Sequence, residues 1–171
     1  GGVAPNYDVA TNMVNFDSGD YLTVFDRESL KIADKDHSII IVLHPDSTDH
    51  NDFISTWGTS SGHVLMQFYN NKFAPHVFRG TDSNWVYAGN DVSTQQASIF
   101  TQIVGGVNTR IKGHVNGVHW SNLEISGTTS VVSDDFALGA RSASYSNAYF
   151  DGRIAEVLVF NKELSNDELA E

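Results

Sequence analysis

A chain of 171 residues, 40% hydrophobic and 11% aromatic, has enough apolar surface for one folded domain and is not a disordered tail. Its 10 Lys+Arg against 21 Asp+Glu leave a formal charge of −11, a field that repels phosphates and argues against nucleic acid or an anionic membrane as partner. The absence of cysteine removes thiol chemistry, thiolate metal sites and disulfides together. The longest apolar run, Ile39-Ile40-Ile41-Val42-Leu43, is far shorter than the roughly 20 residues a membrane span needs, so membrane insertion is not expected.

In chain order the sequence reads as short strands and turns. Asn12–Phe16 and Tyr21–Val24 come first, then Ser38–His44, a short β-branched run flanked by polar residues and so a buried strand. Phe53–Thr56 precedes Gly58-Thr59-Ser60-Ser61-Gly62, which matches the G-x-S-x-G nucleophile elbow. An elbow needs a helix behind it; here His63–Tyr69 reads as a strand, and the string is a plain turn. His63–Tyr69 and Lys72–Arg79 flank Asn70-Asn71. Thr109–Val115 and Val118–Ser121 flank Asn116-Gly117, whose tolerance of positive φ predicts a tight hairpin. Ala97–Val104, Phe136–Gly139 and Arg153–Phe160 complete the strands. Ser165 and Glu168 then stand at capping-box spacing, which predicts a short C-terminal helix and explains Asp167 and Glu168 structurally. Strands at this density, without internal repeats, predict an all-β, antiparallel two-sheet sandwich.

Four stretches carry a wider likeness: FDSGDYLTVFDRESL (Phe16–Leu30), SIIIVLHPDS (Ser38–Ser47), IKGHVNGVHW (Ile111–Trp120) and the segment Phe136–Glu171. The last holds Phe150, Gly152, Ile154, Glu156, Val157, Phe160, Asn161, Leu164, Ser165 and Glu168 in a recurrent terminal pattern. The first departs from its usual pattern in having Ser18 where glycine is common. With these motifs the chain resembles the concanavalin A-like lectin/glucanase superfamily, most closely its laminin G-like bacterial modules. The resemblance implies a single jelly-roll domain over residues 1–171, one sheet often curved into a concave face. It leaves activity open, because such modules include carbohydrate-binding, lectin, adhesion and catalytic domains. The Gly1-Gly2 start reads as a cut from a longer protein or as a cloning scar, and the resemblance implies a module of a larger secreted or cell-surface bacterial protein, working beside neighbouring domains.

Catalysis finds little support. A retaining glucanase needs two carboxylates about 5 Å apart, and no glutamate here is followed two residues later by aspartate. A lyase-type cluster of Gln67, Tyr69, Arg79, His114 and His119 can be written down, but nothing in the sequence binds its members together. The seven histidines contain no H-E-x-x-H and no H-x-H, and are expected at half-exposed strand positions rather than on zinc. A structural Ca²⁺, which the resemblance implies for many relatives, would draw on loop acids: Asp17 with Asp20, Asp46-Asp49-Asp52, or Asp151 beside Glu156. Asp20 and Asp151 are the candidate ligands. Strict alternation along Arg153–Phe160 puts Glu156 on the face of Ile154, Leu158 and Phe160, where a carboxylate needs a partner such as Arg141, Arg153, a backbone N–H or a cation.

Sugars are recognised by flat aromatics over the ring face and by amides and carboxylates on the hydroxyls. Trp85 and Tyr87 alternate within a polar segment that also contains Asn84, Trp57 borders the small-residue loop, and Tyr145 lies in a Ser/Asn-rich loop. These are the candidate ligand-binding residues; Trp120 is assigned to the core. The expected function is noncatalytic binding of a carbohydrate or polysaccharide. The alternatives are an adhesion or spacer domain that binds protein, and a polysaccharide-degrading glycosidase or lyase domain.

Overall fold

The computed structural model describes residues 4–17, 19–25, 28–32, 34–56, 63–79, 82–85, 91–105, 110–125, 135–141 and 148–170, with the backbone alone at 28, 79, 82–85 and 121. The strands are β1 (Asn6–Asp8), β2 (Met13–Phe16), β3 (Leu22–Val24), β4 (His37–Pro45), β5 (His50–Ser55), β6 (His63–Tyr69) and β7 (Lys72–Arg79). They continue as β8 (Asp82–Trp85), β9 (Ser98–Gly105), β10 (Arg110–Val115), β11 (Val118–Glu124), β12 (Phe136–Leu138) and β13 (Gly152–Phe160). A seven-stranded sheet in the order β1-β2-β13-β4-β9-β10-β11 faces a six-stranded sheet in the order β3-β12-β5-β6-β7-β8, and every pairing between strands is antiparallel. The predicted sandwich is therefore the observed one. β1 and β8 are not marked by the sequence pattern: both are short edge strands in polar segments with little apolar alternation.

Six phenylalanines, Phe16, Phe53, Phe68, Phe73, Phe100 and Phe150, are fully buried between the sheets. Phe53 of β5 is a hub, with ring centroids 4.9 Å from Phe68 and 6.1 Å from Phe100 on the opposite sheet. Such tilted aromatic pairs add about 0.5–1.5 kcal/mol each beyond the area they bury. The two predicted hairpin turns use the left-handed region without glycine at every position: Asn70 and Asn71 have φ of 50° and 62°, and Asn116 and Gly117 of 52° and 75°. Gly152 opens β13 at φ 150°, where a Cβ would lie 2.4 Å from the His44 carbonyl oxygen, so the close approach of β13 to β4 requires glycine.

Two expectations change. A β-bulge between Ile154 and Glu156 breaks the alternation of β13. Ile154 stays buried, Val157 and Val159 then pack on the core, and Glu156 and Leu158 turn to solvent. Glu156 therefore needs no buried partner; Arg141 pairs with Asp52, and Arg153 with Asp46 at 2.7 Å. The C-terminal helix reduces to a single turn. Its capping box forms, with Ser165 N–H donating to Glu168 Oε2 at 2.9 Å and Glu168 N–H to Ser165 Oγ at 3.3 Å. A single i to i−4 bond follows, from Leu169 N–H to the Ser165 carbonyl at 3.1 Å, too few to offset the cost of nucleating a helix. The turn is fastened to the sandwich by buried Leu164 and by Ser38, whose hydroxyl donates to the Lys162 carbonyl and accepts from Leu164 N–H.

Candidate functional site

Trp57, Tyr87 and Tyr145 lie outside the described residues. Trp85 and Asn84 belong to edge strand β8, described as backbone only, where Trp85 pairs in register with His76 and Asn84 with Val77. The G-x-S-x-G string also lies outside the described residues, but it runs from β5 to β6, two strands, so the elbow context fails. The lyase-type cluster does not assemble. Gln67, Tyr69 and Arg79 belong to the six-stranded sheet, while His114 and His119 stand on the seven-stranded one.

Of the described surface, a rim cleft of about 200 Å³ has the chemistry of a sugar site. It is lined by Val92, Val115 and Trp120 on its apolar side and by Asp91, Ser93, Gln96, Ser98 and Asn116 on its polar side. The β10–β11 hairpin supplies Val115, Asn116 and Trp120; the segment entering β9 supplies the rest. Trp120 is half-buried, packed on the core from one side while bordering the cleft from the other. The walls are tied down. Asn116 Oδ1 accepts from Ile99 N–H at 2.8 Å, its Nδ2 donates to Ser98 Oγ at 3.3 Å, and Val92 N–H donates to the Asn71 carbonyl at 2.7 Å. Asp91 is held by Lys72 Nζ at 3.2 Å. A rigid indole beside an amide-rich wall suits the apolar face and hydroxyls of one sugar ring. Asn116 and Trp120 were visible in sequence only as a hairpin and a core residue; nothing local joins them to Asp91 and Gln96.

On the outer face of the six-stranded sheet, where alternation puts the side chains that leave the core, polar groups are buried rather than solvated. Asp52 of β5, 0% exposed, accepts from Arg141 Nε at 2.6 Å, and the guanidinium also reaches His50 at 3.3 Å and Gln67 Oε1 at 3.5 Å. Burial pushes the Asp52 carboxyl up, and Arg141 pulls it back down only in part. On β7, His76 is held down to about 3, first by burial and then by the nearby His63 and Arg141 charges. His63 stacks on Phe78 with ring centroids 4.6 Å apart. His37, His63, His76 and His114 are all buried, which corrects the expectation of half-exposed strand positions. A buried histidine is held as a neutral hydrogen-bonding ring by the cost of charging it out of water.

The two calcium candidates behave differently. Asp20 is buried, and its Oδ2 accepts from the Asp17 N–H at 3.1 Å inside the turn that begins there. Asp151 is half-buried, and burial followed by the Asp46 and Asp17 charges holds its carboxyl above the ordinary range. Asp46 is paired with Arg153. Among the described residues no three His, Asp or Glu side chains gather as a metal site.

Residues 16–170 match the family described as the Concanavalin A-like lectin/glucanases superfamily. No curated protein matches the sequence. Among solved structures, the CBM40 module of the IT-sialidase of Ruminococcus gnavus superposes with a TM-score of 0.76 at 18% identity, over 92% of this chain and 94% of that one. Its complex with alpha2,3 sialyllactose gives 0.75 at 19% identity, over 99% and 97%. Domain 4 of AbnA, a GH43 extracellular arabinanase from Geobacillus stearothermophilus, in complex with arabinotriose, gives 0.75 at 15% identity, over 99% and 80%. At these identities the likeness is one of fold.

Proposed function

Because this chain belongs to the Concanavalin A-like lectin/glucanases superfamily, we propose that it is a noncatalytic carbohydrate-binding module whose rim cleft holds one uncharged sugar ring against Trp120. The observation that carries this reading is the cleft itself: one aromatic side chain lining the same space as Asp91, Ser93, Gln96 and Asn116, a space too small for an oligosaccharide. Its volume falls below the roughly 300–1,000 Å³ of pockets for drug-sized ligands, which fits a single residue of a longer chain. Support for carbohydrate as the ligand class comes from the two modules of the same fold that were solved with sialyllactose and with arabinotriose. A neutral sugar is favoured over a sialylated one because, among the described residues, the cleft lining contributes Asp91 and no Lys or Arg, the nearby Lys72 being paired with Asp91, and the whole chain carries −11. An extracellular or cell-surface setting, inside a larger chain, is the natural place for a module of this kind.

Titration of the protein with a panel of neutral and sialylated glycans tests the reading, with tryptophan fluorescence and calorimetry as readouts. Gln96→Ala is exposed and is expected to weaken sugar binding about 3–10-fold; Trp120→Ala, at the centre of the contact, should weaken it more than tenfold. Trp120→Phe keeps an aromatic plane and guards against a loss caused by misfolding. Wild-type affinity in both Gln96→Ala and Trp120→Ala would remove the cleft as the site. A panel with no ligand would move the protein to the adhesion or spacer reading.

A structural calcium near Asp151 is a second reading, favoured by one observation: the Asp46 and Asp17 charges already repel the Asp151 carboxylate, and a divalent cation would relieve that repulsion. The missing third side-chain ligand among the described residues counts against it. If calcium is held there, Tm is expected to fall in EDTA and to recover with added Ca²⁺, and Asp151→Asn should lose that response. An unchanged Tm ends this reading.

A further inference from the structure

We propose that His114 and His119 form a two-histidine site for a divalent transition-metal ion of the copper, nickel or zinc type. The pair faces outward from the seven-stranded sheet, away from the sugar cleft, and the inference is independent of the sugar reading. His114 of β10 and His119 of β11 are direct partners across the antiparallel ladder, and the ladder shifts register beside them. Their ring centroids are 5.1 Å apart, with planes tilted by 51°. Two imidazoles on one tetrahedral ion, each nitrogen about 2.0–2.1 Å from the metal, bring their ring centres to roughly that separation.

The chemistry of the two rings agrees with this geometry. His114 is buried while His119 is exposed, so one ring is fixed by packing and the other is accessible from solvent. Nδ1 of His114 is buried without a hydrogen-bond partner, so no bond there commits the ring to one tautomer. Both rings line two adjoining clefts of about 230 and 210 Å³, where Asn122 and Asn166 contribute amide groups for the remaining positions. The Lys112 ammonium beside the site would repel a cation, but Glu163 pairs with it at 2.7 Å. Imidazole nitrogens select copper, nickel and zinc over calcium and magnesium, which take oxygen ligands. A bound ion would join the hairpin to the C-terminal turn, because Asn166 and Leu169 line the same cleft as the histidine pair.

The test uses the whole chain, stripped with EDTA and dialysed, titrated calorimetrically with Cu²⁺ and with Zn²⁺. We expect one equivalent of Cu²⁺ bound more tightly than Zn²⁺, nitrogen ligation in the electron paramagnetic resonance spectrum of the copper form, and a Tm raised by several degrees. His119→Ala, at an exposed position that leaves the core untouched, should weaken binding at least tenfold and abolish the Tm shift, with the circular dichroism unchanged. His44→Ala, near the end of the central strand β4 of the same sheet and outside the clefts that the pair lines, should bind like the parent. No binding at millimolar metal, wild-type affinity in His119→Ala, or loss only in His44→Ala would each overturn the proposal.

Discussion

Arg141→Met is expected to lower the stability of the protein by about 3–5 kcal/mol at neutral pH, because it leaves Asp52 buried with its charge uncompensated. Asp52 is fully buried, its oxygens take the Arg141 guanidinium at 2.6 and 3.5 Å, and Arg141 is itself almost wholly covered. Taking the pair out of water is expensive, and their attraction repays that cost only while both are present. Two further outcomes separate this from a simple packing loss. The deficit should shrink on acidification, as the Asp52 carboxyl, already raised by burial, takes up a proton. The double variant Asp52→Leu with Arg141→Met should recover most of the loss, since an apolar pair of similar volume carries no desolvation cost. Urea unfolding at pH 7 and pH 5 measures both. A cost below about 1 kcal/mol at pH 7 would mean that the pair is solvated and contributes as a surface bridge does.

Acid should unfold the protein from the histidines inward. The His76 imidazole is lowered from 6.5 to about 3, so the folded state binds its proton less readily than the unfolded state does. The stability due to neutral His76 is therefore complete above pH 6.5 and is lost as the pH falls from 6.5 toward 3. By linkage this amounts to about 2 kcal/mol by pH 5 and about 4 kcal/mol near pH 3. His114, lowered to about 4, acts in the same direction over a shorter range. Asp52 acts oppositely: its raised carboxyl favours the folded state once protonated, a gain present at low pH and lost as pH rises through its folded value. Between pH 6.5 and 5 the histidine contribution opposes that of Asp52. His76→Asn should flatten the slope of unfolding free energy against pH in that window, whatever it does to stability at pH 7. An unchanged slope in His76→Asn would show that His76 is charged, or solvated, in the folded protein.

Most strands were legible as short β-branched or aromatic runs bounded by turn residues, a local signal that needs no knowledge of partners. Asn70-Asn71 and Asn116-Gly117 were equally legible, since few residues accept positive φ. The terminal pattern through Phe150, Gly152 and Leu164 also follows local demands: glycine where β13 approaches β4, and apolar residues where the chain seals the core. Glu156 shows where this reasoning stops. A single bulged residue reverses every side chain beyond it, and alternation counted along the sequence cannot detect a residue left out of the ladder. Arg141 shows the same limit at longer range. Sequence offers it as a partner for Glu156, whereas the fold gives it Asp52 of β5, 89 residues away.

The sequence alone determined the class of fold, its Asn-containing hairpin turns and its family, because backbone preference is written residue by residue. Tertiary structure alone decided which side chains meet: the Asp52–Arg141 pair, the buried His76, the Trp120 cleft and the His114–His119 pair. Each joins residues from separate strands or connecting segments, and their pairing depends on strand order and register. Those are properties of the whole sandwich, set by how two sheets pack, and no local stretch of sequence contains them.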